Sequence, residues 1–225
     1  MNLYAQLSLL QTNYCERQGP GVFAEPVNAI SNAASLIAGL LALREIQKHT
    51  KVSRGTRALP WMLMIVAIGS ALYHTIRNPY TLVIDAVPLF TFILWAIFLL
   101  LRQCFRTERT AAIVVTGFVT LEILLSAIVP REFLNGSIRH AAAFAFSGFI
   151  VLMIAKRFGA IAWRAVPIFV FYALAIFCRT VDPLVCSSFP TGTHFLWHIL
   201  GATASFFVVR LIVGIEVASE GGTTP

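Results

Sequence analysis

Seven apolar runs divide this chain, at roughly 26–47, 59–77, 80–102, 110–129, 139–156, 163–179 and 191–215. Each is close to the roughly 20 residues that cross a hydrocarbon core about 30 Å thick. Inside lipid a backbone has no water to pair with, so such a run must be an α-helix whose N–H and C=O groups satisfy one another. The pattern predicts an all-α membrane protein: a seven-transmembrane helix bundle, one domain over residues 1–225. The breaks carry charge or turn signals: Lys48 to Arg57, Arg77-Asn-Pro79, Arg102 to Arg109, Pro130-Arg-Glu132, Lys156 to Gly159 and Asp182-Pro183. None has room for a further domain. Composition agrees, with 58% hydrophobic and 12% charged residues and a mean hydropathy of +0.79, against about 25% charged in soluble domains.

Orientation follows from the 17 basic residues. Arg44, Lys48, Lys51, Arg54, Arg57, Arg102, Arg106, Arg109, Lys156, Arg157, Arg164 and Arg210 fall on one side, and Arg17, Arg77, Arg131, Arg139 and Arg179 on the other. The positive-inside rule puts the first side in the cytoplasm. Residues 1–25 then form an outer N-terminal segment and 216–225 a cytoplasmic tail. Met1 to Leu10 has neither a charged n-region nor a small-residue cleavage site, and is not read as a signal peptide. The net charge of +7 reflects this topology and anionic lipid, and calls for no nucleic acid.

Against this apolar background, five polar residues stand out. His194 and His198 sit four apart in Thr191-Gly-Thr-His-Phe-Leu-Trp-His-Ile-Leu200, a spacing that puts both imidazoles on one helix face, where they can share a metal ion. Ser70 and His74 repeat the spacing in the second run, and Asp85 opens the third. On the topology above all five lie at similar depth near the outer side. Taken singly, a membrane histidine is ordinarily a hydrogen-bonded packing residue, and Ser70, between Gly69 and Ala71, a small residue at a helix contact. Asp85 is different, because an ionised carboxylate in hydrocarbon costs about 2.5–3.5 kcal/mol even on lenient scales. Together, three histidines from two helices with a carboxylate beside them match a three-ligand catalytic zinc site whose fourth position is open. His140 lacks a partner at helical spacing and reads as interfacial, and His49 as solvated. Glu122 either hydrogen-bonds inside the bundle or lines a lipid cavity.

These residues resemble the alkaline ceramidases, within the wider CREST group of seven-span hydrolases. The resemblance rests on Ala67-Ile-Gly-Ser-Ala-Leu-Tyr-His74, Asp85-Ala-Val-Pro-Leu89 and Thr193-His-Phe-Leu-Trp-His-Ile-Leu200, with Asn13-Tyr-Cys-Glu16 and Ala24-Glu-Pro-Val-Asn-Ala-Ile-Ser-Asn32 before them. It covers residues 13 to about 200 and points to a bacterial member. The N-terminal segment favours ceramidases over the progestin and adipoQ receptors. The resemblance implies His74, His194 and His198 as zinc ligands and Ser70 and Asp85 as the catalytic pair. It further implies calcium held by Asn13, the Tyr14 carbonyl, Glu16, Gln18 and Glu25. The chain departs from the pattern there: Asn13 stands for the usual Asp, Tyr14 for Trp, Gln18 aligns only approximately, and Glu25 follows Glu16 sooner. Fewer carboxylates attract a hard cation less.

The expected reaction is hydrolysis of the N-acyl bond of a ceramide-like lipid to a fatty acid and a sphingoid amine. The partner is a membrane lipid with a long acyl chain, in a membrane that the short loops match to a bacterial inner membrane. Asp85 takes the proton of the attacking water and returns it to the departing amine, while Ser70 hydrogen-bonds the tetrahedral oxyanion. A receptor with structural zinc, a lipid esterase of the same superfamily and a transporter remain alternatives; no inverted repeat supports the last. Cys15 and Cys186 share the outer side, where disulfides persist, and pairing them would tie the N-terminal segment to the segment carrying His194. Cys104 and Cys178 lie too far apart to bridge. Asp182 is left between a surface loop residue and a supporting role.

Overall fold

The computed structural model describes residues 14–105, 107–130 and 133–220. Asn13, Arg106, Arg131 and the tail residues 221–225 lie outside the described residues. Among the described residues eight α-helices run in order: α1 (Pro26–Ser31), α2 (Ala33–Gln47), α3 (Arg54–Ile76), α4 (Pro79–Cys104), α5 (Glu108–Ile128), α6 (Ile138–Phe158), α7 (Val166–Val185) and α8 (His194–Glu220). By length and hydropathy they give six candidate membrane-spanning helices, with α1 and α2 joined into one at 26–47. The expectation of seven differs over a single stretch. Residues Ile138–Val185 are helical for 48 residues, about 72 Å at 1.5 Å per residue and more than twice a bilayer core. A 3-10 segment, Gly159–Ala165, interrupts it, entered through Gly159 at φ +58°, a conformation that only glycine adopts without strain.

Local chemistry sets the helix ends. Ser53 caps α3 by accepting the Thr56 N–H at 3.2 Å, which starts that helix five residues before its apolar run. Arg77, at φ +36°, ends it. Asn78 then caps α4 by accepting the Tyr80 and Thr81 N–H groups at 2.9 and 3.0 Å, with Pro79 at the first helical position. The turn between α3 and α4 is therefore very short. It forces Ser70 and His74 on one helix close to Asp85 on the next.

Two expectations are corrected. Asp182-Pro183 is not a break: both residues lie inside α7. Pro183 has no N–H to give the carbonyl four residues back, and that carbonyl, of Arg179, instead accepts Asn135 Nδ2 at 2.9 Å. Nor does the tail begin at 216, because α8 continues to Glu220. Glu216 is buried and accepts the Ser53 N–H at 3.0 Å, the Ser53 hydroxyl at 2.8 Å and the Thr56 hydroxyl at 2.8 Å. Its carboxylate thus supports the N-terminus of α3.

Helix α8 packs against α1, α2, α3, α4 and α7, and Val209, Leu211, Ile212 and Ile215 on it are fully buried. Outward faces are apolar too: Ile68 is 61% exposed, Ile123 63% and Leu152 64%. Faces of that kind are intolerable in water and natural in lipid.

Candidate metal centre

The site forms where α3, α4 and α8 meet. Gly69 on α3 lies so close to α4 that a Cβ there would sit 2.3 Å from the Ile84 carbonyl oxygen. That approach brings the two next residues, Ser70 and Asp85, to the wall of one cavity. One turn beyond Ser70, His74 faces His194 and His198, with ring centroids 5.3 and 4.8 Å away. His194 and His198 are themselves 4.7 Å apart. All three are buried, and each offers one ligand atom within 4.8 Å of the others.

The surroundings fit a cation. His74 donates Nδ1–H to a Glu25 carboxylate oxygen at 2.6 Å, and His198 Nδ1 pairs with the Ser31 hydroxyl at 2.7 Å. Both rings are fixed through Nδ1, which leaves Nε2 as the metal-side atom, the arrangement that orients imidazole ligands in metalloproteins. His194 Nδ1 is buried without a hydrogen-bond partner, a ring nitrogen whose need a cation would meet. Tyr14 stacks on His194 at 3.8 Å between centroids, closing the site from the N-terminal segment.

Asp182 holds His194 at the start of α8. Its Oδ1 accepts the Thr193 N–H at 2.7 Å and the His194 N–H at 2.9 Å, capping the helix. Its Oδ2 accepts the Cys15 N–H at 3.1 Å. Gly192, at φ +67°, passes so close that a Cβ would lie 2.2 Å from Asp182 Oδ1. The Cys15–Cys186 disulfide is present, joining residues 171 apart in sequence. Cys104 and Cys178 are free.

The described residues of the expected calcium set hold hydrogen bonds and ion pairs within the protein, whereas calcium takes six to eight oxygens in one shell. Both Glu16 oxygens accept backbone N–H groups, of Val27 at 2.6 Å and Asn28 at 2.8 Å, at the start of α1. The Tyr14 carbonyl accepts the Arg17 N–H at 3.1 Å, and Gln18 gives its Nε2 to the Cys15 carbonyl at 2.6 Å. Glu25 pairs with His74, with Arg17 and, at 2.5 Å, with Arg77. Burial alone would push the Glu25 carboxyl up; the His74 hydrogen bond and the charges around it outweigh this and hold it at about 2. Asn13 is outside the described residues.

Beside the histidines a cavity of about 230 Å³ opens, lined by Ser70, Asp85, His194 and His198 and then by apolar side chains of α4 including Phe92, Ala96 and Leu100. From Asp85 to Leu100 is about 22 Å along a helix, room for an acyl chain rather than a compact solute. His140 lines this cavity against the Trp197 ring, 4.5 Å away. Glu122 lines a separate, neighbouring cavity.

Sequence reasoning missed Ser31 and the link from Glu25 to His74. A signal existed: Glu25, Asn28, Ser31 and Asn32 recur at helical spacing along one face of an otherwise apolar run. Asn28 and Asn32 are likewise buried, and Asn28 Nδ2 donates to Glu25 at 3.3 Å.

Apolar spanning helices around a buried three-histidine group define an integral membrane protein with a site able to hold one metal ion. A comparison with curated proteins finds no match. The Ceramidase family profile, however, matches residues 10–224, nearly the whole chain, and the chain belongs to that family. Membership implies a membrane hydrolase that cleaves the amide bond of a ceramide lipid.

Proposed function

We propose that this chain is a zinc-dependent amidase that hydrolyses the N-acyl bond of a ceramide-like lipid, releasing a fatty acid and an amine. The observation that carries the reading is the grouping of three histidine donors within 4.8 Å of one another, two of which, His194 and His198, line the same apolar-walled cavity as Ser70 and Asp85. His74, His194 and His198 would hold the ion, and zinc there supplies Lewis acidity and a water of lowered pKa.

This chain's residues then divide the work. Asp85 accepts the proton of the attacking water as its oxygen bonds the amide carbon, and gives it to the nitrogen as the C–N bond breaks, because an unprotonated amide nitrogen leaves poorly. The Ser70 hydroxyl donates to the oxyanion that develops at the carbonyl. The apolar wall of α4 receives the chains. We place the N-terminus outside and the C-terminus in the cytoplasm, with α6 and α7 crossing separately for seven spans. A C-terminal reporter reading as periplasmic or lumenal would reverse that orientation.

Asp85→Asn tests the mechanism, because it keeps size and hydrogen-bonding reach but removes basicity. Zinc should stay bound while turnover of a long-chain N-acyl lipid falls roughly 10²–10⁴-fold. Ser70→Ala should keep the metal and lose about 10²–10³-fold. Turnover in Asp85→Asn equal to wild type, with metal retained, would favour the structural-zinc receptor instead.

A further inference from the structure

Where the family resemblance implies a calcium ion, two guanidinium groups meet Glu25: Arg17 from the N-terminal segment and Arg77 from the turn between α3 and α4. Glu25 is buried, and one of its oxygens pairs with Arg17 Nε and with Arg77 Nη1 while the other accepts from His74 Nδ1 and Asn28 Nδ2. Arg17 is pinned further by the Gly19 carbonyl at 3.0 Å. Arg77 lies over the Tyr14 and Tyr73 rings at 5.1 and 5.2 Å. A carboxylate already paired with two fixed guanidinium cations and hydrogen-bonded to an imidazole has its charge met and attracts a further divalent ion less.

We infer that Arg17 and Arg77 are the built-in cations around Glu25: they hold it where it accepts the Nδ1–H of His74, so this metal centre is positioned without calcium. Glu25 is a positioning residue acting through His74, and Arg17 acts through Glu25. The geometry stands by itself; its consequence for a metal centre rests on the function proposed above.

The test uses full-length protein in detergent, loaded with zinc, with the thermal midpoint and the rate of zinc loss to a chromogenic chelator as readouts. Wild type should show the same midpoint and the same rate in a calcium-selective chelator as in millimolar calcium. Arg17→Gln should lose zinc roughly tenfold faster and Glu25→Gln about 10–100-fold faster, the usual worth of a partner behind a metal ligand. Arg17→Lys, which keeps the charge, should restore most of the loss. A calcium-induced rise in the wild-type midpoint, or slower zinc loss with calcium, would overturn the inference. So would an Arg17→Gln protein that holds zinc as tightly as wild type. Should Arg17→Gln fail to fold, Arg17→Lys and the wild-type calcium comparison decide. If wild type binds no zinc at all, the proposed function fails, while the midpoint still answers the calcium question.

Discussion

Gly69→Ala perturbs the chemistry without touching a reacting atom. The new Cβ would lie 2.3 Å from the Ile84 carbonyl oxygen and 3.1 Å from its carbon. A tolerable carbon–oxygen contact is about 3.3 Å, so α3 and α4 must part by about 1 Å. Side-chain rotation cannot relieve a clash with backbone. Pro88, lacking an N–H, cannot draw the Ile84 carbonyl back into its helix either. Overpacking of this kind costs about 1–3 kcal/mol, and the better helix propensity of alanine returns up to ~1 kcal/mol, so the net loss of stability is modest. Catalysis should suffer more. Ser70 and Asp85 are the next residues on the two helices, and a misplacement of about 1 Å can cost 10²-fold in rate. The assay is fatty-acid release from a long-chain N-acyl lipid in micelles, followed by mass spectrometry, with metal content and thermal midpoint measured on the same preparation. Gly117→Ala is the control, since a Cβ there meets nothing within 4 Å. Wild-type turnover in Gly69→Ala would refute the view that this contact sets the Ser70–Asp85 geometry.

Three further outcomes are expected. Asp182→Ala leaves the Thr193, His194 and Cys15 N–H groups without their acceptor, at about 1–3 kcal/mol for each group that stays buried; the thermal midpoint and metal content should fall together. Glu216→Ala should lower the midpoint and leave metal content unchanged, because its partners Ser53 and Thr56 start α3, at the end of that helix away from His74. Labelling of unreduced, denatured protein should find two reactive thiols of the four cysteines, Cys104 and Cys178.

What was legible in the sequence was whatever repeats at helical spacing inside an apolar background. Ser70 with His74, and His194 with His198, declared themselves because a polar group in hydrocarbon needs a reason to be there. The helix limits were less legible. Hydropathy marks where a chain is apolar, whereas Ser53 and Glu216 decide where α3 begins. Asp182-Pro183 carries a turn signature and yet lies inside α7, because a proline in a helix is tolerated once another donor, here Asn135, serves the freed carbonyl. Side-chain direction was not legible either: Glu16 turns to backbone amides, while Glu25 turns to two arginines and a histidine. No one-dimensional pattern specifies that.

The meeting of Cys15, Asp182 and His194 bears on how the protein is made. Synthesis makes Tyr14, Cys15 and Glu25 early and the segment from Asp182 to His198 nearly last. Until that final hairpin enters the bilayer, His74 faces no second imidazole, Asp182 has no α8 to cap and Cys15 has no Cys186. A nascent or truncated chain therefore cannot assemble a working centre, and the membrane is not exposed to a half-built lipid hydrolase during insertion. Closure of the disulfide marks the moment when both ends of the chain have arrived.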